Sequence, residues 1–160
     1  MAELPRALKH ATVWLLLGTG VFVGVQAWQR AQQQSRVTLD GTVIELRRGP
    51  DGHFHWPGRV NGVAVEFLVD TGATGTTVPE SVARAAGLVA QGTVRSNTAN
   101  GPVTGWVARA DLQLQGGLHA ERLPVTVLPA LQSPLLGMDV LGRLQFSQAG
   151  GVLRLQPAPR

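Results

Sequence analysis

Asn61 and Gly62 constrain this chain most, because they stand between two strand-like runs, His53 to Val60 and Val63 to Val69. An Asn-Gly pair accepts the positive φ angles of a type I′ turn, whose twist matches that of the strands it joins. The two runs are therefore expected to form one β-hairpin with its register set by the turn. The second run continues as Phe67-Leu68-Val69-Asp70-Thr71-Gly72-Ala73-Thr74, an apolar strand that delivers one carboxylate into a tight Thr-Gly turn. A side chain at a rigid strand end is held out from a fixed base, so Asp70 is the first candidate for chemistry. Asp, Thr and Gly are also good turn formers, so the triplet alone does not separate a catalytic turn from a plain one.

The same grammar of short apolar segments and turn residues runs from Val37 onward, the pattern of an all-β domain. Val43-Ile44-Glu45-Leu46 precedes the strong turn Gly49-Pro50-Asp51-Gly52. Pro79 to Gly87 reads as a short helix, with Pro and Glu in the first turn, alanines inside and Gly at the end. Val94 to Thr98 and Val103 to Leu114 flank Ala99-Asn100-Gly101, a second hairpin signal. Gly116-Gly117 turns the chain into the strand-like Leu123 to Leu128. Leu135 to Leu141 runs apolar into another short helix, and Phe146 with Val152-Leu153-Arg154-Leu155 closes the domain as a hairpin around Gly150-Gly151.

Residues 11–28 carry no charge and match the roughly 20 residues a helix needs to cross a bilayer, with Trp14 and Trp28 towards the ends. A membrane-spanning anchor is expected here. A cleaved signal peptide is the competing reading, since Arg6 and Lys9 form a basic start and Val25-Gln26-Ala27 offers small residues. Either sends the rest of the chain across a membrane. The division that follows is a tail at 1–10, a transmembrane helix or signal anchor at 11–28, a polar, Gln-rich linker at 29–42 and a folded domain at 43–157.

The formal charge of +4 disappears when it is followed along the chain: residues 45–157 hold nine Arg against eight acids, with no basic cluster beyond Arg47-Arg48. That balance does not support a nucleic-acid partner. The absence of cysteine excludes disulfides, thiolate catalysis and Cys-ligated zinc. His53 and His55 have a spacing metals can use but lack a third ligand, so no metal is expected. Ser81 has no nucleophile elbow, and no phosphate-binding Gly loop is present, so no cofactor is called for.

Asp70-Thr71-Gly72-Ala73, followed further along by Leu135-Leu136-Gly137, resembles the active-site turn and the hydrophobic-hydrophobic-Gly element of retropepsin-like aspartic proteases. The similarity runs from about residue 53 to residue 156 and includes the helix after the turn and Gly137-Met138-Asp139-Val140-Leu141. It is strongest towards the membrane-anchored bacterial branch, and more distant towards the protease-like domain of ubiquitin-shuttle proteins. The resemblance implies a single-lobed, closed acid-protease β-barrel with one or two short helices, placed after the N-terminal transmembrane helix.

The function implied is hydrolysis of peptide bonds in a polypeptide substrate by a water activated between two carboxylates that share one proton. This chain has one Asp-Thr-Gly, and Asp51, Asp111 and Asp139 lack that turn context. The resemblance therefore implies a homodimer with one Asp70 from each subunit. Thr71 would hold the two turns together across the axis, Gly72 would bring its N–H to the carboxylate, and Ala73 would keep the wall small. Leu135, Leu136 and Gly137 would support the turn from behind. Thr98, Ala99, Asn100 and Gly101 would form a flap over bound peptide, or else an ordinary surface hairpin. Viral relatives brace the dimer with an Arg where this chain has Met138-Asp139, and Asp139 is expected to cap the short helix. The expected location is the bacterial inner membrane, single-pass, with the domain facing the periplasm or the cell exterior. A protease-derived dimerisation or peptide-binding module with weak or lost catalysis is the alternative.

Overall fold

The computed structural model describes the backbone of residues 6–33, 36–39, 43–98 and 101–157, and the side chains of residues 12, 14–27, 43–98 and 101–156. The chain divides into two compact units, Met1–Gln34 and Ser35–Arg160.

The first unit is one helix, α1 (Arg6–Gln33). Among the described residues no helix is both long and apolar enough to cross a membrane. The expected crossing at 11–28 therefore gains no support from the structure.

The second unit begins with β1 (Arg36–Leu39), β2 (Ile44–Arg47), β3 (His55–Val60), β4 (Val63–Val69) and β5 (Thr77–Pro79), followed by α2 (Glu80–Ala85). It continues with β6 (Gly92–Thr98), β7 (Gly101–Leu114), β8 (Leu118–Leu128), β9 (Leu135–Leu136), α3 (Met138–Leu141), β10 (Leu144–Ala149) and β11 (Val152–Pro157). Two of these assignments correct the linker expected at 29–42: α1 runs on to Gln33, and β1 is hydrogen-bonded along β8 from Arg36↔Glu121 to Leu39↔Leu118. A polar sequence offers few side chains to bury, but strand pairing uses backbone groups that every residue carries.

Six strands close on themselves in the order β7-β8-β5-β9-β4-β3 and back to β7, with β1 and β6 outside the ring. Closure pairs every strand of the ring on both sides and gives the strands one enclosed interior, leaving the edges of this sheet at β1 and β6. Alternation fills it. Ala108, Ala110, Leu112 and Leu114 of β7 point inward, as do Leu118, Ala120, Leu123, Val125 and Val127 of β8. The phase of β8 jumps between Ala120 and Leu123 because a bulge sits there: Leu112 faces Ala120 while Ala110 faces Leu123. Arg122 takes φ 52° at the bulge, and its N–H donates to Asp111 Oδ1 at 2.7 Å.

The Asn61-Gly62 turn forms as expected, with φ of 46° and 86°. The Asn61 side chain also ties it down, accepting from Asp111 N–H at 2.8 Å and donating to the Ala86 carbonyl at 3.1 Å. Trp56 and Phe67 face each other across β3 and β4, both fully buried, and the Trp56 indole N–H donates to the Gln115 carbonyl at 2.8 Å. A second, three-stranded antiparallel sheet in the order β10-β11-β2 contributes Ile44, Leu144, Leu153 and Leu155 to the same core.

Candidate active site

Asp70 follows β4 directly, and the barrel fixes it from the side. β9 lies parallel to the end of β4, pairing Leu68 with Leu135 and Val69 with Leu136. One step further the pairing continues into the turn, where Asp70 N–H donates to the Leu136 carbonyl at 3.0 Å. The Asp70 side chain is half-buried, while Thr71 and Gly72 are exposed. Gly72 N–H donates to Asp70 Oδ1 at 2.8 Å, and Ala73 N–H donates to the Asp70 carbonyl at 3.3 Å. One carboxylate oxygen is thus held by the turn, which orients the other.

The far side of the turn is fastened to the segment after β9. Met138 N–H donates to the Ala73 carbonyl at 2.9 Å and Asp139 N–H to the Thr74 carbonyl at 3.2 Å. Gly137 is buried against the backbone of Gly75: a Cβ on Gly137 would stand 2.5 Å from the Gly75 carbonyl carbon. Its φ of −93° suits any residue, so closeness is the reason for glycine here.

Asp139 is not the helix cap that the sequence suggested. The N-cap position of α3 belongs to Gly137, which has no capping side chain. The Asp139 carboxylate instead accepts from Thr76 N–H on Oδ2 at 2.9 Å, and from the Thr76 hydroxyl at 2.8 Å and Val140 N–H at 3.0 Å on Oδ1. Leu136 is fully buried behind the turn and Leu135 is half-buried.

The hairpin of β6 and β7 pairs from Gly92↔Val107 to Thr98↔Gly101. At its tip the Thr98 hydroxyl donates to the Gly101 carbonyl at 2.7 Å, and Gly101 has φ 102°. Ala99 and Asn100 lie outside the described residues. His55 is engaged on the surface, its Nε2 2.8 Å from Asp51 Oδ2. Among the described residues no group of three His, Cys, Asp or Glu side chains is placed to hold a metal. A groove of about 650 Å³ is lined by Leu144, Gln145, Phe146, Ser147, Arg154 and Gln156, and not by Asp70 or its turn. It lacks a carboxylate, so the chemistry points to Asp70 and not to that groove.

Residues 56–143 match the model of a family described as "gag-polyprotein putative aspartyl protease". The chain belongs to this family. In structure it is similar to a retropepsin-like aspartic protease from Rickettsia conorii, at 25% sequence identity and a TM-score of 0.59, over 79% of this chain and 97% of that one. No curated protein matches the chain in sequence. The all-β, closed-barrel fold is thus retropepsin-like, and the matched family region contains the Asp70 turn, the β6–β7 hairpin, β9 and α3.

Within this family fold, the structure brings Asp70, Gly72, Ala73, Leu136 and Gly137 into one hydrogen-bonded unit. Sequence reasoning missed Thr76. Its signal was faint, a threonine among turn-forming neighbours, but it is fully buried and polar, and such a group needs a partner.

Proposed function

We propose that the chain is a homodimeric aspartic endopeptidase that hydrolyses peptide bonds with a water held between two Asp70 carboxylates, one from each subunit. The observation that carries this reading is Asp70 itself, at the end of a barrel strand, with one oxygen taken by Gly72 N–H and its turn exposed to solvent. A single chain supplies one such carboxylate, and the reaction needs two that share a proton. In the pair, the ionised carboxylate removes a proton from the water as oxygen attacks the peptide carbonyl carbon. The protonated partner donates to the carbonyl oxygen, giving a neutral tetrahedral diol. Its collapse breaks the C–N bond, and the amine leaves with a proton returned from the dyad. Close like charges cannot both ionise, so the two groups titrate as one unit. Thr71 meets its copy across the axis, and the Thr98 to Gly101 hairpin covers the bound polypeptide and excludes water.

In this proposal residues 43–157 are the peptidase domain. The uncharged run 11–28 attaches it to the bacterial inner membrane, facing the periplasm or the exterior, as in the membrane-anchored branch of the clan. Support for the attachment is the sequence of that run. Retention of the chain in a carbonate-washed membrane fraction checks it, and release into the supernatant refutes it.

The central test offers a peptide library to the wild type and to Asp70→Asn, with the dimer fraction followed by sedimentation. Cleavage by the wild type alone is the expected result. Equal cleavage by both, or a strict monomer that cleaves, ends the proposal. Peptide binding without turnover, surviving in Asp70→Asn, identifies the alternative of a protease-derived binding module.

A further inference from the structure

We infer that Asp139 and Thr76 form a charged clamp that positions Asp70, a role that rests on the peptidase reading for its catalytic consequence but not for its geometry. Three donors converge on the Asp139 carboxylate: Thr76 N–H at 2.9 Å, the Thr76 hydroxyl at 2.8 Å and Val140 N–H at 3.0 Å. An ionised carboxylate accepts through both oxygens and donates through neither, so it satisfies all three. Having donated its proton to Asp139, the Thr76 hydroxyl is left with lone pairs, and it accepts from Gly137 N–H at 3.4 Å. Thr76 is fully buried and Asp139 half-buried, so water cannot readily replace these bonds.

The consequence reaches Asp70 along the backbone. The segment from Asp70 to Thr76 leaves β4 and runs beside Leu136 to Asp139. Its first residue is fastened to Leu136 through Asp70 N–H, and its last to Asp139 and Gly137 through the Thr76 side chain and N–H, and to β8 through the Thr76 carbonyl, which accepts from Thr126 N–H at 3.0 Å. Between these ends the Ala73 and Thr74 carbonyls tie the loop to that segment, through Met138 and Asp139 N–H, and the Gly75 carbonyl accepts from the Thr77 hydroxyl at 3.2 Å. Releasing the Thr76 side chain therefore loosens the catalytic loop against Gly137 and Asp139, while the Thr76 carbonyl stays on Thr126 N–H and the strand end stays in place. A dyad needs its two carboxylates placed within about 0.5 Å of productive geometry, and each copy of the clamp sets one of them.

Asp139 touches no reacting atom in this scheme and is a positioning residue. Asp139→Asn puts an NH₂ where an acceptor is needed, and in either amide orientation a donor then faces Thr76 N–H or Val140 N–H. Thr76→Val removes the hydroxyl at nearly constant volume, and Thr76→Ser keeps it.

The test uses the full-length chain, with kcat and KM measured at matched dimer fraction and amide hydrogen exchange followed at Asp70, Thr76 and Gly137. A displacement of the reacting group by about 1 Å costs on the order of 100-fold, so Asp139→Asn and Thr76→Val are each expected to lose roughly that factor in kcat. KM stays within about 3-fold, because the peptide-binding walls are untouched. Exchange at Thr76 and Gly137 accelerates by at least about 10-fold, the loss of one hydrogen bond. Thr76→Ser restores both readouts. Wild-type kcat and exchange in Asp139→Asn and Thr76→Val overturn the inference. So does a kcat deficit that disappears well below the variants' melting temperature, which marks a purely structural role. If the wild type hydrolyses nothing, the peptidase reading fails. The exchange measurement then decides the clamp alone, and unchanged protection in Asp139→Asn and Thr76→Val refutes it.

Discussion

Replacing Gly137 by alanine tests the packing behind the catalytic turn most directly. The added Cβ would lie 2.5, 2.6 and 2.9 Å from the carbonyl carbon, oxygen and Cα of Gly75. All three are backbone atoms and cannot rotate away. Normal contact begins near 3.4 Å, so the two segments must part by about 0.9 Å. Overpacking of this kind costs ~1–3 kcal/mol. The same displacement weakens two bonds, Met138 N–H to the Ala73 carbonyl and Asp139 N–H to the Thr74 carbonyl, at ~1 kcal/mol each. Together these come to ~3–5 kcal/mol, a fall in melting temperature of roughly 10–20 °C for a domain of this size. Gly75→Ala is the internal control. Its Cβ would meet only Asp139 Oδ2 at 3.8 Å, an ordinary contact, and alanine restricts the unfolded chain, so the melting temperature should change little or rise slightly. Calorimetry on the two variants decides the matter. A Gly137→Ala chain melting within about 3 °C of the wild type, or a Gly75→Ala chain as damaged as Gly137→Ala, refutes the close-approach reasoning.

Other parts of the domain give independent checks. Trp56→Phe deletes the indole bond to the Gln115 carbonyl and leaves space in the core, for a loss of ~2–3 kcal/mol, read as a lower urea midpoint at unchanged slope. Asn61→Gly keeps the turn geometry but loses two side-chain bonds, ~1–2 kcal/mol, whereas Asn61→Ala adds strain at φ 46° and should be the less stable of the two by urea titration. Asp51 has its pKa lowered, first by the His53 backbone N–H and then by the His55 side chain. A depressed carboxylate pKa gives stability that is present above the unfolded value and lost as pH falls through the folded one. Asp51→Asn should therefore remove a small, salt-sensitive part of the acid limb of the stability profile, and NMR titration of the wild-type carboxyl should find it below the usual aspartate range.

Turn chemistry made much of the fold readable. Asn61-Gly62 and Gly150-Gly151 take positive φ angles in the hairpins they were expected to form, and Pro79 and Gly87 bracket the helix they were expected to bracket. These are local signals, because a residue's allowed backbone angles depend on little beyond itself and its neighbours. The strand-like runs Val103 to Leu114 and Leu123 to Leu128 lie within β7 and β8, but the start of β8 at Leu118 and the bulge between Ala120 and Leu123 came from the structure. Asp70-Thr71-Gly72 was legible as a turn on the end of a strand from the same local signals.

Pairing between distant segments was not. The sequence did not say that residues 36–39 would pair with β8, or that 44–47 would join β11 in a separate sheet. The sequence by itself determined where the chain turns, which strand faces are apolar, and that one carboxylate leaves the end of a strand. The tertiary structure decided what holds that carboxylate still: β9 beside β4, Gly137 pressed on Gly75, and Asp139 gripping Thr76. Those contacts join residues some sixty positions apart, and their partners are chosen only when the barrel closes and leaves buried donors that a nearby acceptor must satisfy.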